Sequence, residues 1–218
     1  MATINEIIKA YYLHRSQGMM NYLNNLHRKY STKKSITRLM AVDLLEGEHQ
    51  VKLRYNKRIN YAKMVQMVCD QLQKSVVLTD PTITNFEQLY DAVNTLLSPV
   101  RGHGIGDLTV YDIALRIGYI RQNQILPKDK VYLFAGANVG ANNLLGITPS
   151  LFDTSVFSPR IKIACDRYDL SIFKSPLCDM SSMFLEDMLC VYDSKLKNYT
   201  KKSYGAFQKV PNYVFSYK

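Results

Sequence analysis

Two glycines, Gly104 and Gly106, enclose one apolar residue, Ile105, in the stretch Pro99-Val100-Arg101-Gly102-His103-Gly104-Ile105-Gly106-Asp107-Leu108-Thr109-Val110-Tyr111-Asp112-Ile113. Glycine lets a backbone turn with positive φ and approach a ligand with no Cβ in between. A helical apolar spacing resumes at Val110 and Ile113, so the turn stands at the start of a helix. Unpaired N–H groups and the helix dipole favour an anion there. The chemistry on offer is therefore anion binding by backbone amides, with Arg101, His103 and Thr109 as the flanking side chains able to donate to an anion.

Helices must flank such a turn, and the sequence supplies both. Thr84-Asn85-Phe86-Glu87 reads as a capping box. It opens a helix through Phe86, Leu89, Tyr90, Val93, Leu96 and Leu97, and Pro99 ends it or begins a tight link. Asp107 suits the first turn of the next helix, which carries Leu108, Ile113, Leu115 and Ile117 and has Gly118 as its expected stop.

Helix, Gly-apolar-Gly hairpin and helix together resemble the helix-hairpin-helix DNA-binding superfamily. The resemblance covers residues 85–143, with the hairpin unit at 85–118. It implies that the hairpin amides hold a nucleic-acid phosphate. It also implies DNA contacts from Arg101, His103, Gly104, Ile105, Gly106 and Thr109. The superfamily includes DNA glycosylases, whose lyase lysine stands two residues after the second glycine; this chain has Leu108 there. They also carry an Asp at a helix start shortly after the hairpin. Here Val131-Tyr132-Leu133-Phe134 occupies that neighbourhood, and Asp129, between Lys128 and Lys130, is the nearest carboxylate. The catalytic residues are thus not carried over. The bland reading of the same glycines is a tight helix–helix turn that binds nothing.

Charge bears on the choice. The chain has 218 residues and a net charge of +10, which favours polyanions. Residues 28–63 carry ten basic and three acidic residues, and residues 194–218 carry six basic and none acidic. Residues 64–193, which include the hairpin, carry ten basic and fourteen acidic. The surplus must therefore be brought to the hairpin by the fold. Lys33 and Lys34, among the hydroxyls of Ser31, Thr32 and Ser35, form one expected phosphate-contact group. Lys201 and Lys202 form the other, in a tail that interleaves lysines with Tyr199, Tyr204, Phe207, Tyr213, Phe215 and Tyr217.

Other chemistry finds no support. No Gly-x-Ser-x-Gly, His-Glu-x-x-His or Walker pattern is present. Cys69, Cys165, Cys178 and Cys190 form no Cys-x-x-Cys pair and read as buried free thiols. Asp112 and Arg116, four apart, read as a surface ion pair. No catalytic residue, metal or cofactor is expected. The sequence shows neither a signal peptide nor an apolar run near the roughly 18 residues of a membrane span, so the expected location is cytoplasmic.

The remaining periodicities are helical. Thr3-Ile4-Asn5-Glu6 opens one helix, Met19, Met20, Leu23 and Leu26 mark a second after Gly18, and Ile36 to Leu44 mark a third, closed by Gly47. Val51 to Asn56 alternates as a short strand or turn, Ile59 to Leu72 is a longer helix, and Arg121 to Lys130 is a polar loop. Gly136 and Gly140 suit close helix packing, Ile161-Lys162-Ile163 suits a strand, and Met180 to Leu196 suits a helix.

The expected fold is mainly α. Residues 1–150 form a helical domain with the helix-hairpin-helix at 85–118. Residues 151–218 form an irregular C-terminal segment with one helix and a basic aromatic tail, packed on the same domain. The function read from this is non-catalytic binding of DNA through its phosphates. A diverged glycosylase-like enzyme and a structural or interaction protein are the alternatives.

Overall fold

The computed structural model describes residues 17–45, 60–127, 130–134, 137, 151–153, 183 and 186–187. Its contacts divide the chain into two units, residues 21–126 and residues 1–20 with 127–218. The described part is mainly helical: α1 (Gln17–Tyr30), α2 (Arg38–Leu44), α3 (Tyr61–Leu72), α4 (Phe86–Leu97), a 3-10 turn (Ser98–Val100) and α5 (Asp107–Ile120). None of these helices is long and apolar enough to cross a membrane.

In the unit of residues 21–126, α5 is the central element. Eleven of its fourteen residues are buried, Thr109 to Tyr111 and Ile113 to Ile120. A helix apolar on all sides must be covered on all sides, and α4 and α2 pack against it. Phe86 and Tyr111 meet edge-on across the α4–α5 contact, ring centroids 5.8 Å apart. The core continues through Leu23 and Leu26 of α1, Met40 and Leu44 of α2, and Met64, Val68 and Leu72 of α3. Cys69 is a buried free thiol, and burial pushes its pKa up.

Polar side chains tie the helices to α5. His27 Nδ1–H donates to the Tyr119 carbonyl at 2.9 Å, and the Tyr119 hydroxyl donates to Asn24 Oδ1 at 2.7 Å. Arg116 donates to the Leu44 carbonyl, filling one of the acceptors that the end of α2 leaves open. Its other nitrogen stands 3.8 Å from Asp112. The expected pair is there, but it is not on the surface: the two side chains are 10% and 18% exposed. The four-residue spacing fixes the neighbours, while the burial follows from the central position of α5.

Two local expectations are corrected, and one loop residue is unexpectedly buried. The N-cap of α4 is Asn85, not Thr84: its side chain accepts from the Gln88 amide at 2.9 Å, and Gln88 reaches back to the Thr84 amide at 2.8 Å. Gly118 does not stop α5, which runs on to Ile120. The helix has a glycine there because the Ile125 backbone lies against it. The expected loop does begin at Arg121, with Gln122 to Gln124 exposed, but Arg121 itself turns inward and is 7% exposed. It donates to the carbonyls of Val77, Asp80 and Ile83, in the irregular segment between α3 and α4.

In the other unit, β1 (Lys130–Tyr132) pairs antiparallel with β2 (Leu151–Asp153), Val131 opposite Phe152. Tyr132, Leu133, Ala137, Met183 and Glu186 are buried. Met183, Glu186 and Asp187 are helical, within the helix expected over Met180 to Leu196. The expected helix from Thr3, the stretch Val51–Asn56, Gly47, Gly136, Gly140, the strand at Ile161, Asp129 and the aromatic tail lie outside the described residues.

Candidate nucleic-acid interface

The link from α4 to α5 is built by its sequence in three steps. Ser98-Pro99-Val100 tightens into a 3-10 turn with the proline in its first turn. Gly102 and Gly104 then take φ of +83° and +89°, conformations that a Cβ makes costly. Ile105 turns inward and is 3% exposed, anchoring the link to the core, while Gly102 and His103 on the outside are exposed.

Gly106 departs from the expected conformation. It is the N-cap of α5 with φ −104° and ψ −177°, extended backbone open to any residue. A Cβ built there meets nothing within 4 Å, and the same holds at Gly102. The positive φ values belong to Gly102 and Gly104, so the reversal of direction is finished two residues before the N-cap.

The side chains around the turn are mutually engaged. Arg101 donates to Asp107 Oδ1 at 2.9 Å and, through its other terminal nitrogen, to Asn94 of α4. Asp107 is the first residue of α5 and is 68% exposed, so its carboxylate lies at the positive end of the helix dipole. Tyr90 shares this neighbourhood; burial first, and then the charge of Asp107, raise its pKa. The Thr109 hydroxyl, buried, stands 3.5 Å from the Gly104 carbonyl. The turn is thus braced on both helices, with one cation and one carboxylate spent on each other.

The ten expected contact residues therefore fall into three places. Arg101, His103, Gly104, Ile105, Gly106 and Thr109 are brought together at the turn. Lys33 and Lys34 are not. They line a cleft with Ile120 and Arg121, at the C-terminal end of α5. At 1.5 Å per residue, the fourteen residues of α5 put that end about 21 Å from the turn. Lys201 and Lys202 lie outside the described residues. Among the described residues no three of His, Cys, Asp and Glu gather in a metal-binding group.

Arg121 is the residue that sequence reasoning missed. Its partners are about forty residues earlier in the chain, so no local spacing could have revealed them. No family model, no curated protein and no solved structure matches the chain.

Proposed function

We propose that this chain binds nucleic acid without catalysis, holding backbone phosphates at the α4–α5 turn. The observation that carries the reading is the open backbone of Gly102 and Gly106 beside the start of α5, on a chain of net charge +10. Peptide N–H groups at a helix start favour anions, and phosphate contacts supply affinity without base readout. A second reading, a packing turn in an interaction protein, is favoured by the Arg101–Asp107 pair, which engages the turn's arginine and puts a carboxylate at the first residue of α5, where it would repel a phosphate.

Gly106→Ala separates the two. The new Cβ meets nothing in the protein and needs no positive φ, so it obstructs only what arrives from outside. Duplex binding of the folded variant is expected to weaken about tenfold, comparable to one charge-assisted hydrogen bond. Binding of the parent is expected to fall steeply with salt. A thermal melt controls for folding. Parent-like binding by the folded variant would make the turn a packing device.

A further inference from the structure

We propose that the cleft at the C-terminal end of α5 is a separate site for a phosphate ester of about nucleotide size. It shares no residue with the glycine turn, so it stands or falls independently of the function proposed above.

The cleft is formed by three chain segments, two of which leave helix ends, while the third carries Leu78, Thr79 and Pro81. Ser31 to Lys34 follow α1, and Arg121 to Asn123 follow α5. Its volume is about 240 Å³, against roughly 10–15 Å³ for one water on the same kind of measure. That is more room than an inorganic ion needs.

The lining sets the chemistry. Three cations, Lys33, Lys34 and Arg121, border the space, and no carboxylate does. Lys33 and Lys34 are exposed, and neither forms an ion pair among the described residues. Ser31 and Thr32 add hydroxyls that can donate to phosphate oxygens. Leu78 and Ile120 give an apolar floor, and Gln122 and Asn123 bring amides that can donate and accept. Cations with hydroxyls fit a phosphate; an apolar floor with amides fits a flat heterocyclic body.

Arg121 gives the site its fixed charge. It is 7% exposed and bound to three carbonyls rather than to a carboxylate, and its Nε is buried with no partner among the described residues. Burial lowers its pKa, yet a guanidinium stays charged at neutral pH. Opposing charges are smaller. The C-terminal ends of α1 and α5 bring roughly half an elementary charge each. The Asp80 carboxylate does not line the cleft and accepts from the Thr82 amide and hydroxyl at 2.9 and 2.6 Å, though its full charge is felt by Arg121 and offsets part of it. Three full cations therefore leave the space positive.

The test is amide-resolved NMR of the full chain. Adenosine 5′-monophosphate is expected to shift the amides of Ser31–Lys34 and Gln122–Asn123 saturably, and adenosine is not. The Lys33→Ala/Lys34→Ala double variant is expected to weaken the monophosphate tenfold or more, and the double Arg variant to restore it. Both lysines are exposed, so neither change threatens the core. An oligonucleotide without terminal phosphate that saturates these amides at lower concentration than the monophosphate assigns the ligand phosphate to a polynucleotide backbone. The reverse order assigns it to a free nucleotide. Equal shifts from adenosine, or none from the monophosphate or the oligonucleotide at about 10 mM, beyond the range of a weak specific site, overturn the proposal.

Discussion

The backbone of Ile125 lies directly on Gly118: the Ile125 amide donates to the Gly118 carbonyl at 3.0 Å, and a Cβ on Gly118 would fall 2.0 Å from the Ile125 carbonyl oxygen. The obstacle is backbone, which cannot swing aside as a side chain can. Leu89 closes the other side at 3.0 Å. Gly118→Ala therefore forces Ile125 off the helix, and it is expected to destabilise the protein by about 3 kcal/mol, the upper range for overpacking. Helix propensity works the other way, by about 1 kcal/mol in favour of Ala. Urea unfolding decides the sign; a neutral or stabilising result would show that the 121–125 segment is not held there.

Arg121 should matter as much. Its guanidinium serves the carbonyls of Val77, Asp80 and Ile83 at once. Arg121→Met keeps much of the volume and removes every donor. With hydrogen bonds to a charged group at about 1.5–3 kcal/mol each, offset by relief from burying the charge, a net loss of about 2–4 kcal/mol is expected. Arg121→Lys should recover only part, because one ammonium cannot fork to three separated acceptors. Denaturant midpoints of the two variants test the order Arg, Lys, Met.

How much of this was legible in the sequence depends on how far away each residue's reason lies. The span of α4 could be read from its own apolar spacing, and Phe86 and Leu97 are its ends. Its cap could not be placed by pattern alone, since Thr84 with Glu87 and Asn85 with Gln88 both fit a capping box. Gly118 was misread because its reason is the backbone seven residues on, and Arg121 because its reasons lie some forty residues back. At the candidate site, the glycine turn between two helices was visible locally. The position of Lys33 and Lys34 was not, because it follows from how α1 meets the end of α5.

Alkaline pH should expose Tyr30. Its hydroxyl donates to Asp43 Oδ2, which also accepts from Lys29 Nζ at 2.6 Å. Burial, and next the Asp43 hydrogen bond, push its pKa up to about 12 from an ordinary 10.0. The folded state thus holds the proton more tightly than the unfolded chain. That contribution is complete below pH 10 and is lost as pH rises through 12. Stability should fall between these values by up to about 1.4 kcal/mol per pH unit for this one proton. Tyr30→Phe should be less stable at neutral pH and lose this component of the slope. Parallel curves for parent and variant would mean that Tyr30 titrates normally.

Asp107 offers the sharpest choice between a phosphate-binding turn and a packing turn. It carries a negative charge at the first residue of α5, is 68% exposed, and holds Arg101 at 2.9 Å. A phosphate bound at the turn's amides would feel that charge. At about 6 Å through water the repulsion is roughly 0.7 kcal/mol, or about threefold in affinity. Asp107→Asn removes it at nearly constant size and weakens the Arg101 contact to a neutral hydrogen bond, which leaves the guanidinium charge to an incoming anion. If the turn binds phosphate, duplex affinity should rise about three- to tenfold. The salt dependence should also steepen by about 0.9 in log–log slope as one more cation becomes available. If the turn only packs, the variant loses about 0.3–1 kcal/mol of stability from the helix start and the ion pair, and binding does not change. Fluorescence anisotropy at two salt concentrations, beside a thermal melt, reads both quantities. Unchanged or weaker affinity in a folded Asp107→Asn protein would count against phosphate binding at this turn.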